Sequence, residues 1–237
     1  MRTIQIRLVV AFAGIFVGAT ALADSMNLND TYNGGAPFLA DNFMFSDVIE
    51  TNENGAGTSV MNHFQNPTMT GDMFIFDPQD LRVDVTPGPG TSTLTSQLEM
   101  TILGRSGQAV PSILFSTLGD YRLIGAGSFV EAEVNFFWEV MQGASAGASG
   151  SGTRTFNDLG APTAAGDWDL NFSVGLPADA TEVLFRFDLT QTAQATDGTA
   201  SVIGPQMVEG VTIAVPEPSC AGLLLLAVVG LMAWQRR

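Results

Sequence analysis

Along the middle of the chain, apolar and polar residues alternate with a period of two, the mark of a strand buried on one face. From Phe129 to Met141, Val130, Ala132, Val134, Phe136, Trp138 and Val140 share one face, while Glu131, Glu133, Asn135 and Glu139 share the other. Phe137 is the apolar exception on the polar face. A run of this length predicts a bend or bulge within it. Glu182–Thr190 places Val183, Phe185, Phe187 and Leu189 inward, and Leu94–Leu103 does the same with Leu94, Leu98, Met100 and Ile102. Leu81–Val85, Trp168–Val174 and Met207–Val215 repeat the pattern, and shorter runs occupy Asp72–Phe76, Ile113–Ser116 and Tyr121–Ile124. Asn42–Ile49 reads as a strand or a short helix, and no long 3.6-residue apolar stripe crosses residues 24–214.

Turn-forming clusters separate these runs, such as Thr86-Pro87-Gly88-Pro89-Gly90, Gly104-Arg105-Ser106-Gly107 and Asp197-Gly198. Amphipathic strands punctuated in this way predict an all-β fold, an antiparallel two-sheet sandwich over residues 24–214. The pattern leaves immunoglobulin-like and jelly-roll strand orders equally open. Residues 142–155, built around the Gly/Ala/Ser tract from Gly143 to Gly152, read as a flexible loop between two long strands.

Both ends depart from this alternation. Met1 to Arg7 is basic, Leu8 to Leu22 is apolar, and Ala21-Leu22-Ala23 offers a small-x-small cleavage site before Asp24. Together they predict that residues 1–23 are a secretory signal peptide cut by signal peptidase at Ala21, Ala23 and Asp24. At the other end, residues 219–235 form an apolar run at the lower length limit for a transmembrane helix. Its five leucines and two valines favour insertion by roughly 2–4 kcal/mol. Arg236 and Arg237 act as a cytoplasmic stop by the positive-inside rule, which leaves the body of the chain outside the inner membrane. Pro216 and Pro218 flank Glu217, so Val215 to Pro218 is expected to be extended and exposed before the helix.

The ordered combination of Pro216-Glu217-Pro218, a short apolar helix and Arg236-Arg237 resembles the PEP-CTERM sorting signal. The resemblance is confined to residues 215–237. It implies recognition by an exosortase-type processing enzyme at Val215, Pro216, Glu217 and Pro218, a transient stay in the inner membrane, and delivery to the outer surface or the exterior. The family occurs in bacteria that make exopolysaccharide, which makes exopolysaccharide a candidate partner. The lone cysteine, Cys220, is misplaced for a lipoprotein anchor, and the terminal arginines do not suit a glycolipid-anchor signal.

Charge narrows the function further. The formal net charge is −15, and all nine basic residues are arginines. Four of these lie at the ends, leaving Arg82, Arg105, Arg122, Arg154 and Arg186 for the middle. Such a surface repels phosphate backbones and argues against nucleic-acid binding. One cysteine excludes an intrachain disulfide, and the single histidine, His63, cannot by itself build a two-histidine metal site.

Candidate chemistry is sparse. Asp72, Asp77, Asp80 and Asp84 cluster in sequence, as do Asp158, Asp167 and Asp169, and loop carboxylates of this kind can hold calcium. No segment matches the Asp-x-Asp-x-Asp-Gly loop. Glu131, Glu133 and Glu139 share a face where a glycosidase pair would sit, although acidic residues on an outer strand face are ordinary patterning. Phe137 and Tyr121 are candidate glycan contacts, since an exposed ring can stack on a sugar. Neither a phosphate-cradling glycine loop nor a G-x-S-x-G elbow is present. The expected function is therefore a non-catalytic structural or adhesive surface or matrix protein. A carbohydrate-binding module, calcium-dependent or not, is the alternative, and a glycoside hydrolase a more distant one.

Overall fold

The computed structural model describes residues 24–52, 63–78, 81–85, 88–158, 163–205 and 210–216. The signal peptide and the transmembrane tail expected from the sequence lie outside them. No helix of the described residues is long and apolar enough to cross a membrane.

The first strand, β1 (Asp24–Asn27), leads into a six-residue helix, α1 (Leu28–Asn33). Alternation could not reveal this helix, because its local chemistry lies at its ends. The Asn27 side chain accepts from the backbone N–H groups of Asn29 and Asp30, and Gly34 closes the helix in the left-handed region at φ 60°. Then come β2 (Phe38–Leu39), β3 (Phe43–Asn52), β4 (Phe64–Thr70), β5 (Met73–Pro78), β6 (Val83–Val85) and β7 (Gly90–Gly104). Asn42–Ile49 is thus resolved as strand. The second half holds β8 (Ser112–Ile124), β9 (Phe129–Gln142), β10 (Ser149–Asp158), β11 (Thr163–Gly175), β12 (Glu182–Ala195), β13 (Ala200–Pro205) and β14 (Val211–Ala214). The two short runs around Phe115 and Leu123 are halves of the single strand β8.

These strands make two antiparallel sheets, as the alternation predicts. One runs β1-β3-β7-β12-β9-β10, with β2 beside β3. In the other, β8 pairs along its whole length with β11 on one side. On its other side β8 pairs with β14 over its first half and with β13 over its second, and these continue to β5-β4 and to β6. Apart from the neighbouring pairs β2-β3, β4-β5 and β9-β10, the pairings join residues distant in sequence.

The inward faces meet in one apolar core. Val183, Phe185, Phe187 and Leu189 of β12 are fully buried, as are Leu98, Met100 and Ile102 of β7. A relay of aromatic rings crosses from sheet to sheet. Phe136 stacks on Phe172 at 4.1 Å, Phe172 on Phe115 at 4.9 Å, and Phe115 meets the edge of Phe187 at 4.7 Å. Phe64, Phe76 and Phe74 continue it at centroid spacings of 5.6, 5.9 and 4.4 Å. Such pairs add about 0.5–1.5 kcal/mol each beyond their buried area. The expected irregularity in the long strand lies near its end, where the register of β9 against β12 shifts between Gln142 and Val140 and leaves Met141 as the extra residue.

Two expectations are corrected here. Residues 142–155 are not a flexible loop. Gly143–Gly147 is a tight turn, and Ser149 onward is the edge strand β10. Its inward glycines make room for rings on β9. A Cβ on Gly152 would lie 2.5 Å from Phe136, and one on Gly150 would lie 2.8 Å from Trp138. Val215, expected to be exposed with the proline motif, is fully buried, and its N–H donates to the Asp72 carbonyl at 3.1 Å. It is the last inward residue of the β14 alternation, and core burial outweighs the extended exposure that the flanking proline suggests.

Candidate functional site

The outer face of the first sheet carries the chemistry. Register fixes its rows across β7, β12, β9 and β10. One row reads Glu99, Arg186, Phe137, Ser151, and the next reads Gln97, Asp188, Asn135, Thr153. Beyond them lies Thr95, Thr190, Glu133, Thr155. Phe137 thus stands among polar neighbours, where the alternation places it.

Between these two rows is an open depression of about 270 Å³, bordered by Asn135, Phe137, Ser151, Thr153, Arg186 and Asp188. Side-chain size creates it. Large residues stand on β9 and β12, while β10 presents only serine and threonine there and carries glycine between them. The polar groups are tied in place. Thr153 donates to the Asn135 carbonyl at 2.6 Å, and the Asn135 amide donates to Glu133 at 2.6 Å. Gln97 donates to Asp188 Oδ1 at 2.7 Å. The Arg186 guanidinium lies over the Phe137 ring, 5.6 Å from its centroid. Among the described residues, it enters no ion pair or hydrogen bond.

Tyr121 is placed elsewhere. It lies on β8 with its ring 5.3 Å from Phe156 of β10. Its hydroxyl bonds to Asp158, and that bond, with burial and the nearby charge, raises its pKa above the ordinary tyrosine value. It packs against the inner side of β10 and does not border the depression.

The aspartates are not brought together. Asp72 accepts from the backbone and side chain of Asn42, both at 2.8 Å. Asp77 accepts from Asn66 at 3.3 Å, and Asp169 from Asn171 at 2.6 Å. Asp167 faces solvent opposite Asp120, Asp84 is exposed on β6, and Asp158 holds Tyr121. Asp80 lies outside the described residues. Among the described residues, no three His, Cys, Asp or Glu side chains converge as metal ligands would. A second, more open depression of about 330 Å³ lies over Asp84, Val85 and Gly88–Ser92, with one carboxylate and no cation in its lining.

The alternation did not single out two residues that matter. Arg186 reads as one more outward residue, and only the register brings it onto Phe137. Glu50 falls just past the ambiguous Asn42–Ile49 run and carries no reading, yet it is 2% exposed. It accepts from the His63 N–H at 2.7 Å, the Phe64 N–H at 3.3 Å and Ser96 Oγ at 3.1 Å. Burial raises its pKa to about 6, against the lowering pull of those three bonds. His63 is itself buried at the head of β4.

No protein-family model matches the chain, and no curated protein matches it in sequence. Among solved structures, it is similar to the enzymatically active domain of tailspike protein 4 of bacteriophage CBA120, at 15% identity and a TM-score of 0.24. That alignment covers 74% of this chain but only 20% of the tailspike chain. It is also similar to TmCBM61, solved in complex with β-1,4-galactotriose, at 8% identity and a TM-score of 0.23, covering 61% of this chain and 83% of that one. A structure from the Gx strain of infectious bursal disease virus aligns at 10% identity and a TM-score of 0.25, over 71% of this chain and 47% of that one. At such TM-scores the likenesses carry no argument about function.

Proposed function

We propose that the protein is an exported surface or extracellular-matrix protein, sorted through its PEP-CTERM-like C-terminal segment, with the sandwich as non-catalytic structural or adhesive cargo. The observation that carries this reading is the ordered pattern at the two ends, a basic and then apolar start closed by Ala21-Leu22-Ala23 and a Pro216-Glu217-Pro218 motif followed by an apolar run and Arg236-Arg237. Strand β1 starts at Asp24, directly after Ala21-Leu22-Ala23, and pairs Asp24 with Asn52. At the other end, Val215 is the last buried residue among those described, and Pro216 follows it. Cutting before Asp24 and beyond Pro216 would leave every described strand and every described core side chain in place. A signal peptidase and an exosortase-type enzyme can then act on the termini without unfolding the cargo. The burial of Val215 narrows the grip of the processing enzyme to Pro216, Glu217 and Pro218.

The acidic surface suits a displayed soluble domain, because net charge far from zero opposes association. The double substitution Pro216→Ala with Pro218→Ala is expected to leave the protein in the inner-membrane fraction, whereas the wild type reaches the outer surface or the medium. Fractionation with immunoblotting reads the outcome, and release of the double variant at the wild-type rate would refute the sorting role. Because both prolines come after β14 and the buried Val215, the variant should keep the described sandwich, which resistance to added protease checks.

A further inference from the structure

We propose that the depression between Arg186, Phe137, Asp188 and Thr153 binds a neutral polysaccharide. The inference is independent of the sorting reading, which concerns only the two ends of the chain.

The argument starts from Arg186. A guanidinium carries five N–H donors in a fixed plane. Here the plane rests on Phe137, which limits side-chain motion by a cation–π contact, and the donors go to no acceptor among the described residues. Arg186 lines the depression, so these donors are available to a ligand that fills it. Beside them Gln97 occupies Asp188 Oδ1, which leaves Oδ2 as an acceptor at the rim. Thr153 and Asn135 are locked to each other and to Glu133, so their positions are set before any ligand arrives. The site thus presents ordered donors and acceptors around a partly exposed aromatic ring. A pyranose has the matching pattern, with hydroxyls that both donate and accept around an apolar C–H surface.

Charge selects the neutral class. Glu99 neighbours Arg186 across β7, Asp188 follows on the same strand face, and Glu133 and Glu139 flank Phe137 along β9. A phosphate or polyuronate would approach Arg186 through these carboxylates, on a chain of net charge −15. Shape selects a polymer over a buried small molecule. The depression is shallow and open, and the small outer residues of β10 continue past it as Ser149 and Thr155. A chain can therefore enter and leave along the strand, with an internal sugar seated over Phe137.

Affinity electrophoresis of the full chain in detergent tests this, in gels cast with soluble galactan, glucomannan, mixed-linkage β-glucan or alginate. The expected result is retardation in at least one neutral gel. Arg186→Met should weaken it at least tenfold, and Thr93→Ala, on the same face outside the depression, should leave it unchanged. If Arg186→Met fails to fold, the near-isosteric Asp188→Asn carries the same expectation. No retardation in any neutral gel, retardation only in alginate, equal binding by the Arg186 variant, or equal loss in Thr93→Ala would each overturn the assignment.

Discussion

At the scale of single residues, Glu50 has the most distinctive environment. Its carboxyl is sealed in the core side of β3, and the cost of burying charge there exceeds the benefit of two backbone donors and one hydroxyl. The folded pKa of about 6 lies above the ordinary glutamate value of 4.5. Between these pH values the folded state holds a proton that the unfolded chain has released. The stability this group contributes is therefore fully present below pH 4.5 and is lost as pH rises through about 6. The shift corresponds to about 2 kcal/mol. Urea unfolding between pH 4.5 and 6.5 should show this decline in the wild type, and Glu50→Gln should flatten it. A variant with the same pH slope as the wild type would place the titration elsewhere. Arg186 makes the complementary point, since its role depends entirely on which residue the register sets beside it.

At the scale of elements, β10 shows what alternation conveys and what it omits. Stretches with apolar side chains at every second position were legible as strands, and in the Trp168–Val174 run the inward Trp168, Leu170, Phe172 and Val174 are all buried; Met207 and Glu209 of the last run lie outside the described residues. Ser149–Gly152 carries no apolar signal, because its inward positions are filled by rings from β9 in place of its own side chains. A strand that borrows its core from a neighbour looks like a linker. The same holds for α1, which is too short for a periodic stripe and is specified by its caps. Gly152→Ala tests the borrowed core. The added methyl meets Phe136, which cannot retreat because it is stacked on Phe172. A loss of about 1–3 kcal/mol is expected from overpacking, read by urea unfolding. A neutral substitution would mean that β10 does not lie against that ring. Of the candidate site, Phe137 was legible as an apolar residue on a polar face. For Tyr121, the short run Tyr121–Ile124 could not show the partner it packs on, because Phe156 belongs to β10, most of which was read as a loop. Among the described residues the aspartates do not converge because Asp72 stands in the turn before β5, Asp77 on β5, Asp84 on β6, Asp158 on β10, and Asp167 and Asp169 on β11.

At the scale of the whole molecule, strand order is the feature local pattern could not supply. Residues at the same phase of alternation fit either sheet, and the choice rests on pairings such as β3 with β7 and β12 with β9, made across long stretches of chain. The aromatic relay from Phe136 to Phe74 then holds the sheets together without a disulfide, which the lone Cys220 could not have formed. On the proposed reading, the two processing steps fall outside the described sandwich, before β1 and after β14. Intact-mass measurement of the protein recovered from the cell surface or the medium tests that placement most directly. The account predicts a product that begins at Asp24, retains Val215 and has lost residues 219–235. A mass matching all 237 residues, or an end that falls within β14, would contradict it.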